Sequence, residues 1–447
     1  MTKFIQFYLI ILCVQVMGAQ EPSGFSLQSA IEYGLEHNTQ VQKAGNNVLK
    51  AKKKVWETTS MGFPQISGTA SYQKFIEQPV QLLPAKIFNP MAPEGTYAPV
   101  KFGTEQNMKW SATLSQLIFS GSYLVGLQSS KTFKRISENA LLKTRQKIKE
   151  AIVNAYGNAL LTDESIVIMQ KNIASVQKNL FEVQQMYQNG LVEETDVEQL
   201  KITLSNLENQ LDYLQRMKKV AYEMLNFSMG REVSAPLVLT DDLNALQTAA
   251  MQLPLLKEKF EPGQNIDFKI AQNQVKAKKL QVKYQKTQAL PTIAAFVNYG
   301  KNAYNNDFKF FDSNQAWYEQ SLFGVNINIP IFSSFGRSAK LKQAKLDLVN
   351  AQLDLKDKEK ELKLQYDQAK TAYEHSFKNF QIAKENMHLA DKIARKEAIK
   401  FKEGVGNSFQ LNQARMQLYQ SQQQYLQAII EIINKKVILE NLLGKKI

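Results

Sequence analysis

Two stretches of the sequence, 122–189 and 334–403, contain no proline over 68 and 70 residues. A continuous helix of 68 residues would be roughly 100 Å long, because each residue adds about 1.5 Å. Compact domains are much smaller than this, so such helices must lie side by side as a rod or tube. Apolar and alanine residues recur every three or four positions in these stretches, which is typical of helices that pack along their length. The sequence therefore predicts a mainly α-helical chain.

The chain also carries an internal duplication. Four segments of the first half recur in the same order in the second half: 61–66 in 288–293, 116–121 in 329–334, 186–200 in 400–414, and 226–230 in 440–444. Phe119 and Phe332 are 213 residues apart, and Gly190 and Gly404 are 214 apart, so the spacing drifts by a single residue. Repeats with so constant an offset indicate two copies of one structural unit.

The repeats predict the order of domains. Residues 1–19 form a signal peptide, 20–230 the first repeat, 231–262 a crossover and 263–447 the second repeat. The first repeat is predicted to contain a helix, a β-hairpin (64–120) with a long proline-rich loop (73–107), a long helix (122–189) and a return helix (195–229). The second is predicted to contain a helix (264–288), a β-hairpin (291–332), a long helix (334–403) and a return helix (408–443). Thr195 and Ser408 are the expected N-caps of the return helices.

The first nineteen residues have the pattern of a secretory signal peptide, with Lys3, an apolar run from Phe4 to Val16 and an expected cleavage after Ala19. The run is shorter than the ~20 apolar residues that a membrane-spanning helix needs. We therefore expect an exported chain without a transmembrane helix. Cys13 is the only cysteine and is interpreted as part of the apolar signal segment, so neither disulfides nor thiolate chemistry are expected.

The chain is basic, with a net charge of +14 that falls to +13 when the signal peptide and its Lys3 are removed. Many lysines are spread along helical stretches, among them Lys276, Lys278 and Lys279, and are interpreted as solvated helix faces. A basic balance also suits anionic surfaces or cargo. An exported protein rarely meets nucleic acid, so no nucleic-acid partner is expected.

Four short segments alternate between apolar and polar residues: 65–73, 109–119, 292–300 and 325–331. Alternation over about ten residues with an uncharged middle is typical of transmembrane β-strands that face lipid on one side and water on the other. The alternative is a sheet that lies half-buried on a soluble core. The predicted lipid-facing residues are Ile66, Tyr72, Val297, Tyr299, Val325, Ile327 and Ile329.

Four strands cannot close a transmembrane barrel, because the small barrels need about eight. An open sheet edge in lipid would leave backbone groups unpaired at a cost of several kcal/mol each. Several subunits must then share one barrel. Two chains would supply eight strands and three would supply twelve, and the wider barrel leaves a lumen comfortably open to water.

Several segments resemble the TolC-like outer membrane efflux protein family, over essentially the whole chain after the signal peptide. They are FSLQSAIEYGLEHNTQVQKA (25–44), NIDFKIAQNQVKAKK (265–279), the turn motifs YQNGLVEETDVEQ and FKEGVGNSFQLNQ, and the terminal MG and LG. The resemblance implies a homotrimer in the outer membrane, with a 12-stranded transmembrane β-barrel and a periplasmic α-barrel of long antiparallel helical hairpins. Loop 73–107 would be extracellular and crossover 231–262 equatorial.

The resemblance also implies a function, namely the exit duct of a tripartite efflux or type I secretion system. The α-barrel would dock on a periplasmic adaptor protein and an inner-membrane pump or ABC transporter, which supplies the energy. The resemblance places adaptor contacts at the helix turns, on Gly190, Leu191, Val192, Gly404, Val405 and Gly406. The glycines could equally be simple helix-ending residues. Leu191, Val192 and Val405 would be apolar at an exposed tip, which favours a partner.

The family often closes the duct with acidic residues near these turns. Phe409 and Asn412 stand where the second repeat would carry the family's acidic pair, so Phe409 either forms an apolar constriction or packs between helices. Acidic residues near a helix N-terminus are also favoured by the helix dipole alone. The periplasmic aperture candidates are Glu193, Glu194, Asp196, Glu198, Phe409 and Asn412.

The sequence offers no catalytic constellation. His37, His375 and His388 have no second ligand at metal spacing, and neither a P-loop nor a GxSxG motif is present. No enzyme activity, metal or cofactor is therefore expected. Two other functions remain open: a periplasmic adaptor with coiled-coil hairpins, and a secreted enzyme on a helical stalk. Cargo is not specified by the sequence, although the basic balance favours the hypothesis of anionic cargo.

Overall fold

The computed structural model describes residues 24–445, so the predicted signal peptide, 1–19, with its Cys13 lies outside the described residues. Within the described residues the α-helices are α1 (Leu27–His37), α2 (Thr39–Ser60), α3 (Gly121–Gln188), α4 (Glu194–Met229), α5 (Leu243–Ala250), α6 (Ile266–Thr287), α7 (Gly336–Lys402) and α8 (Ser408–Leu442). The strands are β1 (Gln65–Lys74), β2 (Val80–Pro84), β3 (Tyr97–Lys101), β4 (Gln106–Ser120), β5 (Thr292–Asn305) and β6 (Tyr318–Asn328). The predicted mainly α-helical fold with a small β part is confirmed.

The described residues fall into two compact units. The sheet unit comprises 47–138 and 270–357, and the helical unit comprises 24–46, 139–269 and 358–445. Among residues 24–445, no helix combines the length and the apolar character that crossing a bilayer requires.

The sheet unit contains a four-stranded antiparallel sheet in the order β1–β4–β5–β6. β1 pairs with β4 and β5 pairs with β6 within the two repeats, and β4 pairs with β5 between the repeats. β1 and β6 are the edges, and within this chain neither has a second neighbour in the sheet. An edge strand presents unpaired backbone N–H and C=O groups to its surroundings.

The loop predicted at 73–107 contains a second, two-stranded sheet, in which β2 pairs with β3. These two strands were not predicted from the sequence, because the prolines of the long loop were treated only as strand breakers. Pro84 pairs with Tyr97 and Pro99 pairs with Leu82. A proline can occupy a strand that has only one neighbour, since the missing N–H then costs no ladder hydrogen bond.

Ile329, predicted as a lipid-facing strand residue, lies outside the sheet. β6 ends at Asn328, which is opposite Thr292, the first residue of β5, so Ile329 has no strand residue to pair with. Pro330 follows and has no N–H to donate to a ladder.

The second repeat therefore joins strand to helix through residues 329–335, whereas β4 ends at Ser120 and α3 begins at Gly121. Arg337 holds this linker: its Nη1 donates to the Pro330 carbonyl at 2.7 Å and its Nη2 to the Ile331 carbonyl at 3.0 Å. Ser334 and Phe335 have positive φ angles of 47° and 62°. The left-handed backbone at these residues explains why α7 begins later than the predicted residue 334.

Four helix segments of the sheet unit lie side by side. Their order follows the order of the strands to which each helix is connected. The Tyr123 hydroxyl of α3 donates to the Thr59 carbonyl of α2 at 3.2 Å. A Cβ on Gly121 of α3 would lie 2.9 Å from the Thr287 Cβ of α6, so these helices meet closely. Lys278 of α6 and Asp347 of α7 form an ion pair at 2.9 Å. The order within the sheet unit is therefore α2, α3, α6, α7.

Buried tyrosines of the two long helices hold the connecting segments of the helical unit. The Tyr156 hydroxyl of α3 donates to the Phe25 carbonyl at 2.8 Å, and the Tyr373 hydroxyl of α7 donates to the Ala250 carbonyl at 2.7 Å. Burial raises the pKa of both phenols above its ordinary value. The Tyr366 hydroxyl of α7 donates to the Glu258 carbonyl at 2.7 Å. The predicted crossover is therefore anchored along its length rather than loose.

The duplication extends into the crossover, because the crossover contains α5, which is the counterpart of α1. α1 packs on the return helix α4, and α5 packs on the return helix α8. Asp242 caps α5 by accepting from the Asn244 backbone N–H at 3.3 Å.

The ends of the paired helices share one turn geometry. Gly190, Gly230, Gly404 and Gly444 have φ angles of 74°, 82°, 73° and 69°. The N–H of the residue after Gly404, Val405, donates to the Lys400 carbonyl at 3.0 Å, and the Gly404 N–H donates to the Phe401 carbonyl at 3.1 Å. This is a Schellman motif, in which glycine supplies the left-handed residue without a steric penalty. The other three turns form the same two hydrogen bonds.

α4 begins at Glu194, one residue before the predicted 195, and α8 begins at Ser408 as predicted, but the N-caps differ from the prediction. Glu193 and Asn407 are the N-cap residues, and Asn407 accepts from the Gln410 backbone N–H at 2.8 Å. Thr195 and Ser408 are therefore not the caps. The Ser408 hydroxyl is instead bonded to another helix.

Two buried asparagines tie the start of each repeat to its end. The Asn38 amide donates to the Ser228 carbonyl at 2.9 Å, and the Asn265 amide donates to the Leu442 carbonyl at 3.1 Å. Each also accepts, through Oδ1, a hydrogen bond from the backbone at the start of the following helix. In the first repeat Asn38 also separates α1 from α2, where a single helix was predicted.

Replacing the buried Asn265 with alanine is expected to lower the free energy of unfolding by about 2 kcal/mol, because the Leu442 carbonyl and the start of α6 each lose a partner. The measurement is the thermal loss of the helical circular dichroism signal of the full chain in detergent. Asn350→Ala, an exposed change on α7, is the matched control and should leave the midpoint unchanged. Equal midpoints for the two variants would contradict the prediction.

Candidate channel surfaces

One face of the four-stranded sheet is apolar. The pairing places Ile66, Leu114, Val297 and Phe323 in one row across the sheet, and in-register neighbours of antiparallel strands share a face. All four side chains are exposed in the single chain. The predicted lipid-facing residues that lie in strands share this face: Ile66, Tyr72, Val297, Tyr299, Val325 and Ile327.

The opposite face of the sheet is predominantly polar. The Thr69 and Ser111 hydroxyls lie 3.0 Å apart across β1 and β4. The Asn298 amide of β5 donates to the Thr113 hydroxyl of β4 at 2.7 Å. A sheet with one exposed apolar face and one hydrogen-bonded polar face fits an apolar solvent on one side and water on the other.

Aromatic rings and an ion pair lie toward the end of the apolar face from which the β1–β4 and β5–β6 connections leave. Trp110 and Tyr299 make an edge-to-face contact with ring centroids 5.7 Å apart, and Tyr72 packs on Phe308 at 5.3 Å. Lys301 and Glu319 pair at 2.7 Å in the same region. Aromatic side chains are enriched where a transmembrane barrel passes from lipid into water.

The two turns between long and return helices each present one apolar side chain. Leu191 is 69% exposed and Val405 is 78% exposed. Each follows the left-handed glycine of a Schellman motif, a position whose side chain usually packs back on its own helix. Here neither is covered by the chain itself.

The other predicted turn residues do not present an exposed apolar side chain. Gly190 and Gly404 are exposed and have positive φ, which their helix-ending role already requires. Val192, predicted as exposed, is half-buried and packs against the cluster that contains Val183 and Leu200. Gly406 is half-buried, and a Cβ there would approach the Lys400 Cβ at 3.1 Å. Leu191 and Val405 are thus the apolar side chains that the turns leave exposed.

The predicted aperture residues lie on the first turns of α4 and α8. Glu193, Glu194 and Glu198 are exposed, and their carboxylates lie near the positive end of the α4 dipole. Phe409 is 58% exposed, so it does not pack between helices of this chain.

Two side-chain hydrogen bonds, which we call the return-helix ties, join α4 to α8 in this region. Asp196 accepts a hydrogen bond from the Ser408 hydroxyl. The Asn412 amide donates to the Thr203 hydroxyl at 3.1 Å, and the Asn412 Oδ1 is buried without a hydrogen-bond partner among the described residues. Ser408 and Thr203 were not identified from the sequence, because the partners are more than two hundred residues apart.

A half-buried cation lies one turn further along α8. The Arg415 guanidinium donates to the Ser175 carbonyl of α3 at 3.3 Å. Burial lowers the pKa of Arg415, and attraction to Glu182 partly opposes this. An arginine titrates so far above neutrality that it keeps its charge here. The region of the predicted aperture residues therefore combines exposed carboxylates with the half-buried guanidinium of Arg415.

Among residues 24–445, no group of three His, Cys, Asp or Glu side chains gathers in a way that could hold a metal ion. His37 stacks on Tyr33 with ring centroids 4.0 Å apart, and its Nδ1 lies 3.0 Å from the Tyr33 carbonyl. Its environment is that of a structural histidine at the end of α1.

Solved structures share this fold. The outer membrane protein VceC from Vibrio cholerae superimposes with a TM-score of 0.72 at 16% identity, covering 94% of this chain and 96% of that one. CusC, whose structures concern folding and transmembrane channel formation, gives a TM-score of 0.74 at 15% identity, covering 94% of this chain and 92% of that one. The chain therefore shares the fold of these two proteins.

Sequence comparison agrees. Residues 263–445 match the family model described as outer membrane efflux protein. Outer membrane protein TolC of Vibrio cholerae serotype O1 is 23% identical over 237 residues, and this match spans about half of each protein, 53% of this chain and 53% of TolC. Residues 263–445 are thus similar to outer membrane efflux proteins, and the resemblance to the TolC-like family is confirmed. The alternative of a periplasmic adaptor is not supported.

Proposed function

We propose that this protein is an outer membrane channel that provides the exit duct of a tripartite efflux or type I secretion system. The observation that carries the proposal is the four-stranded sheet, with one exposed apolar face, one polar face and two unpaired edges. Such a sheet is stable in lipid only when further strands cover its edges. The similarity of the fold to outer membrane channels supports the same conclusion.

The sheet supports a trimer. Three copies of the four-stranded sheet, joined edge to edge, supply twelve strands. A barrel of twelve strands keeps a water-filled lumen, whereas side chains nearly fill the interior of an eight-stranded barrel. In this assembly the apolar face, including Val297 and Val325, contacts outer membrane lipid and the polar face lines the lumen. The long helical hairpins form the periplasmic α-barrel, and residues 1–19 act as the signal peptide for export.

The exposed turn residues support a protein partner at the periplasmic end. Leu191 and Val405 offer two uncovered apolar side chains beside the acidic start of α4. A periplasmic adaptor that docks here would connect the duct to an inner-membrane pump or ABC transporter, which supplies the energy. The protein itself performs passive transport and needs no bond-making group.

The return-helix ties support a closed resting state of the aperture. We expect the double variant S408A/N412A to raise the open-to-closed ratio of the channel about thirtyfold, because two hydrogen bonds of about 1 kcal/mol each are lost. The measurement is single-channel conductance of the purified full chain in planar bilayers. Asn209→Ala, on the exposed side of α4, is the matched control and should keep the resting conductance.

The same measurement tests the function. The purified protein should form water-filled pores whose conducting unit contains three copies. A chain that stays monomeric in water without detergent, or bilayers that show no conductance with either variant, would reject the proposed duct.

A further inference from the structure

A basic groove lies in the sheet unit between α3 and α6, with a cavity volume of about 480 Å³. We call it the α3–α6 groove. Each helix contributes four residues to its lining. They are Gln128, Lys131, Thr132 and Arg135 of α3, and Lys276, Lys279, Leu280 and Lys283 of α6.

The lining follows the same spacing on both helices, at positions i, i+3, i+4 and i+7. This spacing places the four residues of each helix on one face, so the two faces look into the same space. Five of the eight lining residues are cations, and among the described residues no carboxylate lines the groove. The seam between two packed helices normally carries apolar or oppositely charged residues.

Two cations that neighbour the groove, on other faces of the same helices, are paired with carboxylates. Lys278 of α6 pairs with Asp347 at 2.9 Å, and Lys134 of α3 pairs with Glu138 at 3.3 Å. Inside the groove, Lys283 contacts only the Gln128 amide oxygen, at 3.5 Å. Lys131, Arg135, Lys276 and Lys279 form no ion pair with a described residue. Lys278 and Lys134 are thus neutralised within the chain, whereas the five cations that line the groove form no ion pair with a described residue.

Like charges that face one another across a narrow space repel, and a bound anion removes that repulsion. Arginine and lysine together suit phosphate, since the guanidinium binds two oxygens at once and the ammonium supplies a mobile point charge. The groove falls within the size range of small-molecule sites, and Leu280 gives it an apolar surface beside the cations.

We propose that the α3–α6 groove binds a phosphate-bearing anion, either a lipid headgroup or a soluble phosphate compound. The site lies on the helices that connect directly to β4 and β5, the central strands of the sheet. Its occupancy would neutralise the repulsion between two helices that must stay packed. The proposal depends on the charges of the groove and not on the duct function.

The test uses the full chain in detergent, titrated with tripolyphosphate in a calorimeter, and the same chain in nanodiscs of phosphatidylcholine with or without phosphatidylglycerol. The variants K276Q/K279Q and, independently, K131Q/R135Q should each weaken binding of the preferred probe about a hundredfold, because two charged hydrogen-bond donors are lost. K340Q/K342Q removes two exposed cations from α7 outside the groove and should change binding less than about twofold, as screened surface charges do.

Saturable tripolyphosphate binding that the groove variants abolish supports a soluble phosphate ligand. Retention of phosphatidylglycerol alone, lost in the groove variants, supports a lipid headgroup. Binding that is absent for both probes, or equal in groove and control variants, overturns the proposal. Conductance of the same samples in bilayers separates this failure from a failure of the duct, since a channel can conduct with an empty groove.

Discussion

Val325→Lys should prevent assembly of the channel in the membrane. The side chain lies on the apolar face of β6, opposite Ala295, and is exposed in the single chain. A lysine on the lipid face of a transmembrane barrel costs about 2–4 kcal/mol near the middle of the bilayer, and a trimer would carry three copies of it. We expect the amount of heat-resistant trimer in the outer membrane fraction, measured on gels without boiling, to fall at least about thirtyfold.

The neighbouring residue provides the matched control. Asn326 is also exposed, but its side chain points to the polar face of the sheet. Asn326→Lys introduces a lysine one position after Val325. This variant should leave the amount of assembled trimer near that of the wild type, because the added charge faces water. Similar losses for both variants would show that the two faces do not differ in their contact with lipid, which would contradict the proposed barrel.

The second large effect is expected at the helix turns. L191D/V405D places two charges at the apolar side chains that the turns leave exposed. Charges at the centre of a docking surface commonly cost several kcal/mol, so adaptor binding should weaken about a hundredfold or more. In cells that depend on this channel, efflux should be lost and sensitivity to exported compounds should rise to that of cells without the channel.

The conservative pair L191M/V405I is the control, since it keeps the apolar character of both turns. It should restore efflux, and both variants should keep their trimers and their bilayer conductance. A charged pair that still supports full efflux would contradict docking at these turns. A charged pair that loses conductance as well would point to a defect in the α-barrel.

The helices could be predicted closely from the sequence because their signals are local. The absence of proline fixed the extent of α3, and Gly190 and Gly404 marked the turns. The predicted lipid-facing residues that lie in strands share one face, because a strand alternates its side chains with a period of two. Ile329 was assigned to the sheet incorrectly, because β6 ends opposite the first residue of β5, and this pairing is not visible in the local pattern of β6.

The candidate aperture was harder to predict. The acidic start of α4 is a local composition signal, but the ties of Asp196 to Ser408 and of Asn412 to Thr203 join residues of different repeats. Lysines of α6 were interpreted as a solvated face, and only their position opposite Lys131 and Arg135 distinguishes the groove. Charge compensation depends on which helix lies alongside, and a single sequence does not specify that neighbour.

The two halves of the sheet unit differ in how a strand enters its helix. β4 passes into α3 without an intervening residue, whereas residues 329–335 separate β6 from α7. A rotation of the start of α3 about its own axis would therefore act directly on β4, one of the two central strands of the sheet, because no linker residue separates them. The same rotation at the start of α7 would reach the edge strand β6 only through the seven residues 329–335.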